Sequence, residues 1–386
     1  MTPPAPWALA LVDNAGFVVT TDERAMDASA CQATLLALID PLTGRSLSQD
    51  KAQLSCRERG GELVVDLCLG YPCGREHAAW LARMQTALAE DLGGTALHLN
   101  LSHAVIAHQV QGGVQTIPGV KNVIAVGSGK GGVGKSTVSA NLALALAAQG
   151  ARVGLLDADI YGPSVPTLMG VNQKPEANAD KMMLPLQAHG LQVMSVGFLV
   201  PADSALIWRG PMAVQALEQL FRQTAWDDLD YLIVDLPPGT GDIQLSLAQR
   251  MPVTGAVIVT TPQDMALADA IKAIAMFDKV SVPVLGVVEN MAMYCCPNCG
   301  HQEAIFGSGG GQAMAAEKGL PYLGALPLNR QIREDADAGK PTVAVDAGSE
   351  LSQTYAQVAL QVAARLATKS KDYSHTFPTI RVSTDT

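Results

Sequence analysis

The sequence predicts an α/β fold, a mostly parallel sheet with helices on both faces, preceded by a small α+β unit. Three observations carry this expectation. From Asn122 onward, short continuous apolar runs alternate with segments of helical period, the pattern of strands buried on both faces. The first of these runs enters a helix through a glycine-rich loop, Gly127 to Gly134. Before Asn122 the texture differs, with apolar residues alternating at a period of two and short helical stretches among them.

In chain order, Cys31–Ile39 reads as a short apolar helix that runs into Asp40-Pro41. Leu63, Val65, Leu67 and Leu69 alternate with Val64, Asp66 and Cys68, and Leu97, Leu99 and Leu101 repeat the pattern; both suit strands. Trp80, Leu81, Met84 and Leu88 have helical spacing. Two strands and two helices make a compact unit over residues 1–105. Residues 106–120, with Gly112, Gly113, Pro118 and Gly119, read as a linker. Residues 121–368 form the larger unit. Its strand-like runs are Val123–Val126, Val153–Leu156, Val193–Phe198, Tyr231–Val234, Ala256–Thr260, Val284–Val288 and Tyr322–Leu326. A helix from Lys135 to about Gln149 follows the glycine loop, and a last helix runs from about Glu350 to Leu366. Residues 369–386 are a polar tail without periodicity.

Composition narrows the function classes. Of the 386 residues, 48% are hydrophobic and 16% charged, which is core-forming material rather than a disordered chain. The net charge of −10 argues against nucleic acid as a partner, since phosphate-backbone binding needs a basic surface. Seven cysteines are too few for a disulfide scaffold of this length. No cationic segment precedes the short apolar stretch Trp7–Val12, and no run is long enough to span a bilayer. The expectation is a reduced cytoplasmic protein without a membrane partner, in which clustered cysteines are ligands or redox groups.

Gly129 to Ser136 fits G-x-x-x-x-G-K-[ST] in the strand–loop–helix context that the motif requires. In such a loop, Gly129, Lys130, Gly131, Gly132, Val133 and Gly134 turn backbone N–H groups toward phosphate oxygens, and the start of the following helix adds its positive end. Lys135 neutralises the β- and γ-phosphates, and Ser136, followed by Thr137, supplies a hydroxyl for Mg²⁺. Lys130 is not required by the basic motif. Its place inside the loop suggests that it reaches phosphates held by a second subunit, as an arginine finger does in trans, and so suggests a homodimer.

Two strands end in carboxylates. Tyr231–Val234 leads to Asp235 and then Leu-Pro-Pro-Gly-Thr-Gly-Asp; Asp235 is placed to hold Mg²⁺ through water, and Gly239 to offer an amide near the γ-phosphate. Val153–Leu156 ends in Asp157-Ala158-Asp159. On an extended chain both carboxylates face one side, Asp157 toward the metal shell and Asp159 toward the attacking water. No N-K-x-D signature for guanine occurs, so ATP is the expected nucleotide.

Cys296 and Cys299 form a C-x-x-C pair in the Pro/Asn/Gly-rich loop after Val284–Val288. A redox pair favours the start of a helix, and a structural zinc site needs four ligands where the chain has no second C-x-x-C. His301 is a possible third ligand. Two cysteines per subunit across a twofold axis supply the four thiolates that an iron–sulfur cluster or a tetrahedral zinc requires. Cys295 could substitute within the pair or simply pack, Cys68, Cys73 and Cys31 read as packing, and Cys56 carries no functional signal.

These motifs together resemble the Mrp/ApbC family of iron–sulfur cluster carrier ATPases, within the deviant Walker A group of P-loop NTPases that includes ParA and MinD. The resemblance rests on the glycine loop, Leu156-Asp-Ala-Asp-Ile-Tyr-Gly-Pro-Ser, Trp208-Arg-Gly-Pro-Met, Asp235-Leu-Pro-Pro-Gly-Thr-Gly-Asp, Glu289-Asn-Met and Cys296-Pro-Asn-Cys. Ile305-Phe-Gly-Ser-Gly-Gly and Gly324-Ala-Leu-Pro-Leu extend it, so that it runs from about Gly119 to Ala367. It implies that Lys130 is the group's signature lysine, Asp159 its water-orienting aspartate and Asn290 its adenine-side asparagine. Cys296 and Cys299 match the pair that holds a labile [4Fe–4S] cluster between subunits. ATP hydrolysis would then gate transfer of a cluster, received from assembly donors, to apo iron–sulfur proteins. The family often carries an N-terminal module, which residues 1–100 resemble in Asp40-Pro41 and Leu69-Gly70-Tyr71-Pro72.

Two other readings fit the phosphate loop. A ParA/MinD-like spatial regulator would need a basic amphipathic tail or a basic DNA-binding surface, and it leaves Cys296 and Cys299 unexplained. A P-loop kinase or ligase with structural zinc would need an acceptor pocket.

Overall fold

The computed structural model describes residues 28–92, 94–199, 210–296 and 298–371. The stretch Trp7–Val12, the Trp208-Arg209 step and the tail beyond residue 371 lie outside them. The chain opens with α1 (Ala28–Ala37), which buries Cys31 and Leu35. The helix stops short of the expected Ile39, because the following loop takes the carbonyls at its end: Leu36 accepts the Ser48 N–H at 2.9 Å and Leu38 the Leu47 N–H at 3.0 Å. Ile39 is already outside the helix, 52% exposed and bridged to Ser46.

β1 (Gln53–Arg59) and β2 (Glu62–Leu69) form an antiparallel pair. After α2 (His77–Ala87) and α3 (Ala89–Leu92), β3 (Leu97–His103) pairs parallel to β2. The alternating leucines and Val65 of β2 all face the core, as their period demands. β1 escapes the sequence pattern because Gln-Leu-Ser-Cys-Arg-Glu-Arg has only two apolar residues. It is an edge strand held by a continuous ladder from Gln53↔Cys68 to Arg59↔Glu62, with its charges in solvent.

The larger sheet contains β4 (Val120–Gly127), β5 (Val153–Asp157), β6 (Leu186–Ala188), β7 (Leu191–Ser195), β8 (Leu229–Asp235), β9 (Gly255–Thr260) and β10 (Val284–Glu289). A hairpin of β11 (Tyr294–Cys295) and β12 (Gln302–Glu303) intervenes before β13 (Tyr322–Ala325) rejoins the sheet. The order is β13-β10-β9-β4-β8-β5-β7-β6. Every pairing is parallel except that of the short edge strand β6 with β7. The expected strand Val193–Phe198 ends at Ser195, and Val196–Phe198 closes into a single 3-10 turn.

The helices are α4 (Lys135–Ala148), α5 (Val165–Leu168), α6 (Gly210–Arg222), α7 (Asp242–Arg250), α8 (Asp264–Lys279) and α9 (Gly310–Glu317). α10 (Arg330–Asp337), α11 (Thr342–Val345) and α12 (Glu350–Ala367) complete the chain. α4 lies between the sheet and α12 and is buried almost all round, which its run of small and apolar residues permits. No helix among the described residues is long and apolar enough to cross a membrane.

The N-terminal unit docks on the trailing end of α4. The Gly74 N–H donates to the Gln149 carbonyl at 2.9 Å, and the Arg75 N–H donates to Gln149 Oε1 at 2.9 Å. Arg75 Nη1 reaches the Ala347 carbonyl at 2.7 Å. Within residues 106–120, Ile117 and His108 are buried, and the His108 N–H is tied to Asn122 Oδ1 at 3.1 Å. The parallel strands β4, β5, β8, β9 and β10 end together at Gly127, Asp157, Asp235, Thr260 and Glu289. This is the carboxyl edge, where open α/β sheets carry their sites.

Candidate functional site

Between the end of β4 and the start of α4 the chain wraps a cavity of about 260 Å³, lined by Lys130, Gly131, Gly132, Lys135, Ser136 and Thr137. Asp159, Ser164 and Pro238 close it from the neighbouring strand ends. Two glycines are fixed by close approach. A Cβ on Gly129 would lie 2.1 Å from the carbonyl carbon of Asp269 in α8. Gly134 has φ +80°, and a Cβ there would meet Asn290 Nδ2 at 2.3 Å.

The floor of the cavity is a buried ion pair. Lys135 Nζ lies 2.7 Å from Asp235 Oδ1, with the two side chains 6% and 0% exposed. The Ser139 hydroxyl, one turn along α4 from Lys135, donates to the same oxygen at 2.7 Å. The other oxygen, Asp235 Oδ2, is buried without a partner, as is Ser164 Oγ. A buried carboxylate oxygen without a donor is costly. With the Ser136 hydroxyl 3.4 Å from Lys135 Nζ, this is a donor set that fits a hydrated Mg²⁺. Ser139 was absent from the motif reading; its signal is the four-residue spacing from Lys135 on a helix.

Asp157 and Asp159 do not share one role. Asp159 lines the cavity, only 9% exposed, and burial raises its carboxyl above the usual range while Lys135 opposes the shift. Asp157 is sealed beneath and does not line the cavity. Its Oδ1 accepts the Asp159 N–H at 3.0 Å, and Oδ2 accepts the Val165 N–H at 3.0 Å and the Ser195 hydroxyl at 3.1 Å. Burial first, and then Asp235 opposite it in the β5–β8 register, push the Asp157 carboxyl up. The extended-chain expectation fails because β5 ends at Asp157, whose carboxylate then organises the turn that carries Asp159.

Two other expected contacts are engaged elsewhere. The Gly239 N–H donates to the Ser128 carbonyl at 3.0 Å, so it faces the loop rather than open cavity. Asn290, 7% exposed, donates from Nδ2 to the Val133 carbonyl at 2.8 Å and therefore packs against the loop itself.

Cys296 and Cys299 sit at the tip of the β11–β12 hairpin, Cys296 half-buried and Cys299 exposed, with exposed Cys295 beside them. The Cys296 N–H donates to the His301 carbonyl at 2.9 Å, and the Gly300 N–H donates back to the Cys296 carbonyl at 2.9 Å. This tight turn aims the N–H groups of Asn298 and Cys299 at the Cys296 sulfur, which holds its thiol below the ordinary value. Among the described residues no three His, Cys, Asp or Glu side chains gather to hold a metal, so His301 does not complete a set with the pair. The hairpin offers the Cys296 and Cys299 sulfurs, with that of Cys295 beside them.

A strand-to-helix phosphate cradle over a buried lysine–aspartate pair, on the carboxyl edge of a parallel sheet, defines a P-loop NTPase. Residues 119–363 match the family described as ParA, NUBPL iron-transfer P-loop NTPase, and the chain belongs to that family. It is 61% identical over 251 residues to an iron-sulfur cluster carrier protein of Haemophilus influenzae, covering 65% of this chain and 68% of that protein. It is 54% identical over 294 residues to an iron-sulfur cluster carrier protein of Escherichia coli, covering 75% and 80%. The mouse iron-sulfur cluster transfer protein NUBPL is 52% identical over 252 residues, covering 65% of this chain and 79% of its own length. Among solved structures, a nucleotide-binding protein from Archaeoglobus fulgidus in complex with ADP is 37% identical with a TM-score of 0.54, covering 61% of this chain and 93% of that one.

Proposed function

We propose that this chain is an ATP-hydrolysing iron–sulfur cluster carrier, which holds a labile [4Fe–4S] cluster between two subunits and hands it to apo-proteins. The observation that carries this reading is the pairing, in one chain, of a phosphate cradle with a surface hairpin that presents Cys296 and Cys299, around which no three-ligand metal set gathers among the described residues. Two copies supply four thiolates, the number that such a cluster takes. The relatives named above as cluster carriers and a cluster transfer protein support the same cargo.

In this reading Lys135 exchanges Asp235 for the β- and γ-phosphates when ATP enters, and the loop amides from Gly129 to Gly134 receive the remaining phosphate oxygens. Ser136, and Asp235 through water, hold the Mg²⁺, which neutralises charge on the phosphates. Asp159 faces the γ-phosphate end and orients the attacking water. Lys130 reaches across to the nucleotide of the second subunit. Asp157 acts from beneath by fixing the turn that carries Asp159. Asn290 bounds the adenine side while holding the loop.

Anaerobic reconstitution with iron and sulfide tests the cargo. Wild type binds both with the mass of a dimer, and Cys296→Ala binds neither. Zinc without sulfide, or cluster binding indifferent to the substitution, overturns the reading. Gating predicts that transfer to an apo-acceptor differs among ATP, ADP and Lys135→Ala protein; equal rates would remove it.

A further inference from the structure

The phosphate loop and the thiol hairpin are joined by a very short length of chain. Only Met291 to Met293 lie between Asn290 and Tyr294, where the hairpin begins. At the loop end, Asn290 Nδ2 holds the Val133 carbonyl at 2.8 Å, and its own N–H is fixed on the Thr260 carbonyl at 2.7 Å. Met291 then takes φ +58°, a conformation that a side-chain-bearing residue adopts at a cost, and its Cε lies within 3.5 Å of where a Gly134 Cβ would stand. From there the chain runs beside the exit of β13. The Ala292 N–H donates to the Leu326 carbonyl at 3.0 Å, and the Leu328 N–H to the Met293 carbonyl at 2.9 Å. The residue before Asn290 anchors the strap on its other flank: buried Glu289 accepts the Gly311 N–H, in the first turn of α9, through Oε2.

Resting on the cluster-carrier reading above, we propose that Asn290–Met291 is the joint through which occupancy of the phosphate loop sets the position of the Cys296/Cys299 hairpin. Asn290 is a positioning residue in this role. Val133 and Gly134 are the two residues whose peptide groups lie immediately before Lys135, so any closing of the loop around a triphosphate acts on the carbonyl that Asn290 holds. The pull is delivered to a strained residue four positions from the first hairpin cysteine, over a segment bonded at both ends and without slack. A strained φ at such a place is a candidate for two discrete arrangements, which a coupling element needs. The segments Gly162-Pro163-Ser164 and Pro237-Pro238-Gly239 reach the cavity at Ser164 and Pro238 and share no backbone hydrogen bond with this strap.

The test reads the hairpin directly, in reduced, cluster-free, full-length protein. Iodoacetamide alkylation rates of Cys296 and Cys299, resolved by peptide mass spectrometry, are measured without nucleotide and at saturating Mg·ATP, with saturation verified for each variant by equilibrium titration. Wild type is expected to change its rate about fivefold on saturation, an ordinary size for coupling between sites. Asn290→Ala and Met291→Gly, once saturated, are expected to lose most of that response. Met291→Gly removes the strain without removing the loop contact of Asn290, so it reports on the joint even where Asn290→Ala folds poorly. A wild-type response that persists unchanged in both variants places the coupling elsewhere and overturns the proposal, as does ATP binding with no response at the hairpin. Failure of the parent reading looks different: anaerobic reconstitution would then give zinc without sulfide, or a cluster indifferent to Cys296→Ala, whatever the alkylation rates do.

Discussion

The phosphate cradle and the thiol hairpin stand a few residues apart along the chain, yet they are built on opposite terms. In the cradle each group is determined several times over. Lys135 is buried on Asp235, Asp235 is held again by Ser139, and the loop is pressed between α8 and Asn290 with no room for a Cβ at Gly129 or Gly134. In the hairpin two of the three cysteines are exposed, and order comes from a short two-stranded ladder, the backbone bonds of its turn and a single bridge to Leu328. The cradle gathers Lys135, Ser136 and Asp159 around one cavity of a single chain, whereas on the proposed reading the hairpin is half of a coordination sphere. A site for a nucleotide that arrives and leaves gains from preorganisation. A site that must release a cluster gains from being shallow and incomplete. Stability should therefore be invested in the first and nearly absent from the second.

The strongest test of that contrast is Lys135→Ala. Removing one partner of a buried ion pair leaves the other charge uncompensated, so the nucleotide-free protein is expected to lose about 3–5 kcal/mol of unfolding free energy, besides its ATP binding. Denaturant unfolding without nucleotide measures it. A loss under about 1 kcal/mol would mean that the cradle is less committed in the empty protein than its geometry indicates. Gly129→Ala follows at about 1–3 kcal/mol, because α8 must retreat from a Cβ placed against its Asp269 backbone. An unchanged melting profile would show that the loop and α8 move apart freely.

Much of this was legible in the sequence, for a physical reason. The phosphate loop announces itself because its chemistry demands particular residue types at consecutive positions, and the buried parallel strands announce themselves as unbroken apolar runs. What escaped depends on who the neighbours are. β1 has almost no apolar signal and exists through its ladder with β2. Asp157 and Asp159 look equivalent in a string, and only the strand end after Asp157 assigns one to the turn and the other to the cavity. The bond from Asn290 to Val133 spans 157 positions and depends on β10 reaching the edge of the sheet near β4 through β9. No local pattern encodes such a contact.

At the hairpin the same measurements should barely move. Cys296→Ser with Cys299→Ser is expected to change unfolding free energy by no more than about 0.5 kcal/mol, as surface positions outside the packed core do, one half-buried and one exposed here. Iron and sulfide binding should nevertheless disappear. A large destabilisation would show that the hairpin carries structural weight and would break the contrast between the two sites.

The smallest effect concerns protons rather than stability. The N–H groups of Asn298 and Cys299 point at the Cys296 sulfur and favour its charged form, so the folded thiol titrates below its ordinary range. At a pH below that of an ordinary free thiol's midpoint, the folded protein thus holds more Cys296 as thiolate than the unfolded chain does. The thiolate is the form that attacks iodoacetamide and the form that ligates iron. The pH profile of Cys296 alkylation in cluster-free protein should therefore have a lower midpoint than the profile of the same cysteine in denaturant. Coincident midpoints would mean that the turn does not orient its amides toward sulfur in solution. A lower midpoint would show that the exposed hairpin is preorganised in one respect: it arranges dipoles around a ligand while leaving the ligand itself uncovered. The hairpin would then differ from the cradle in depth and completeness rather than in the use of backbone N–H groups to hold negative charge.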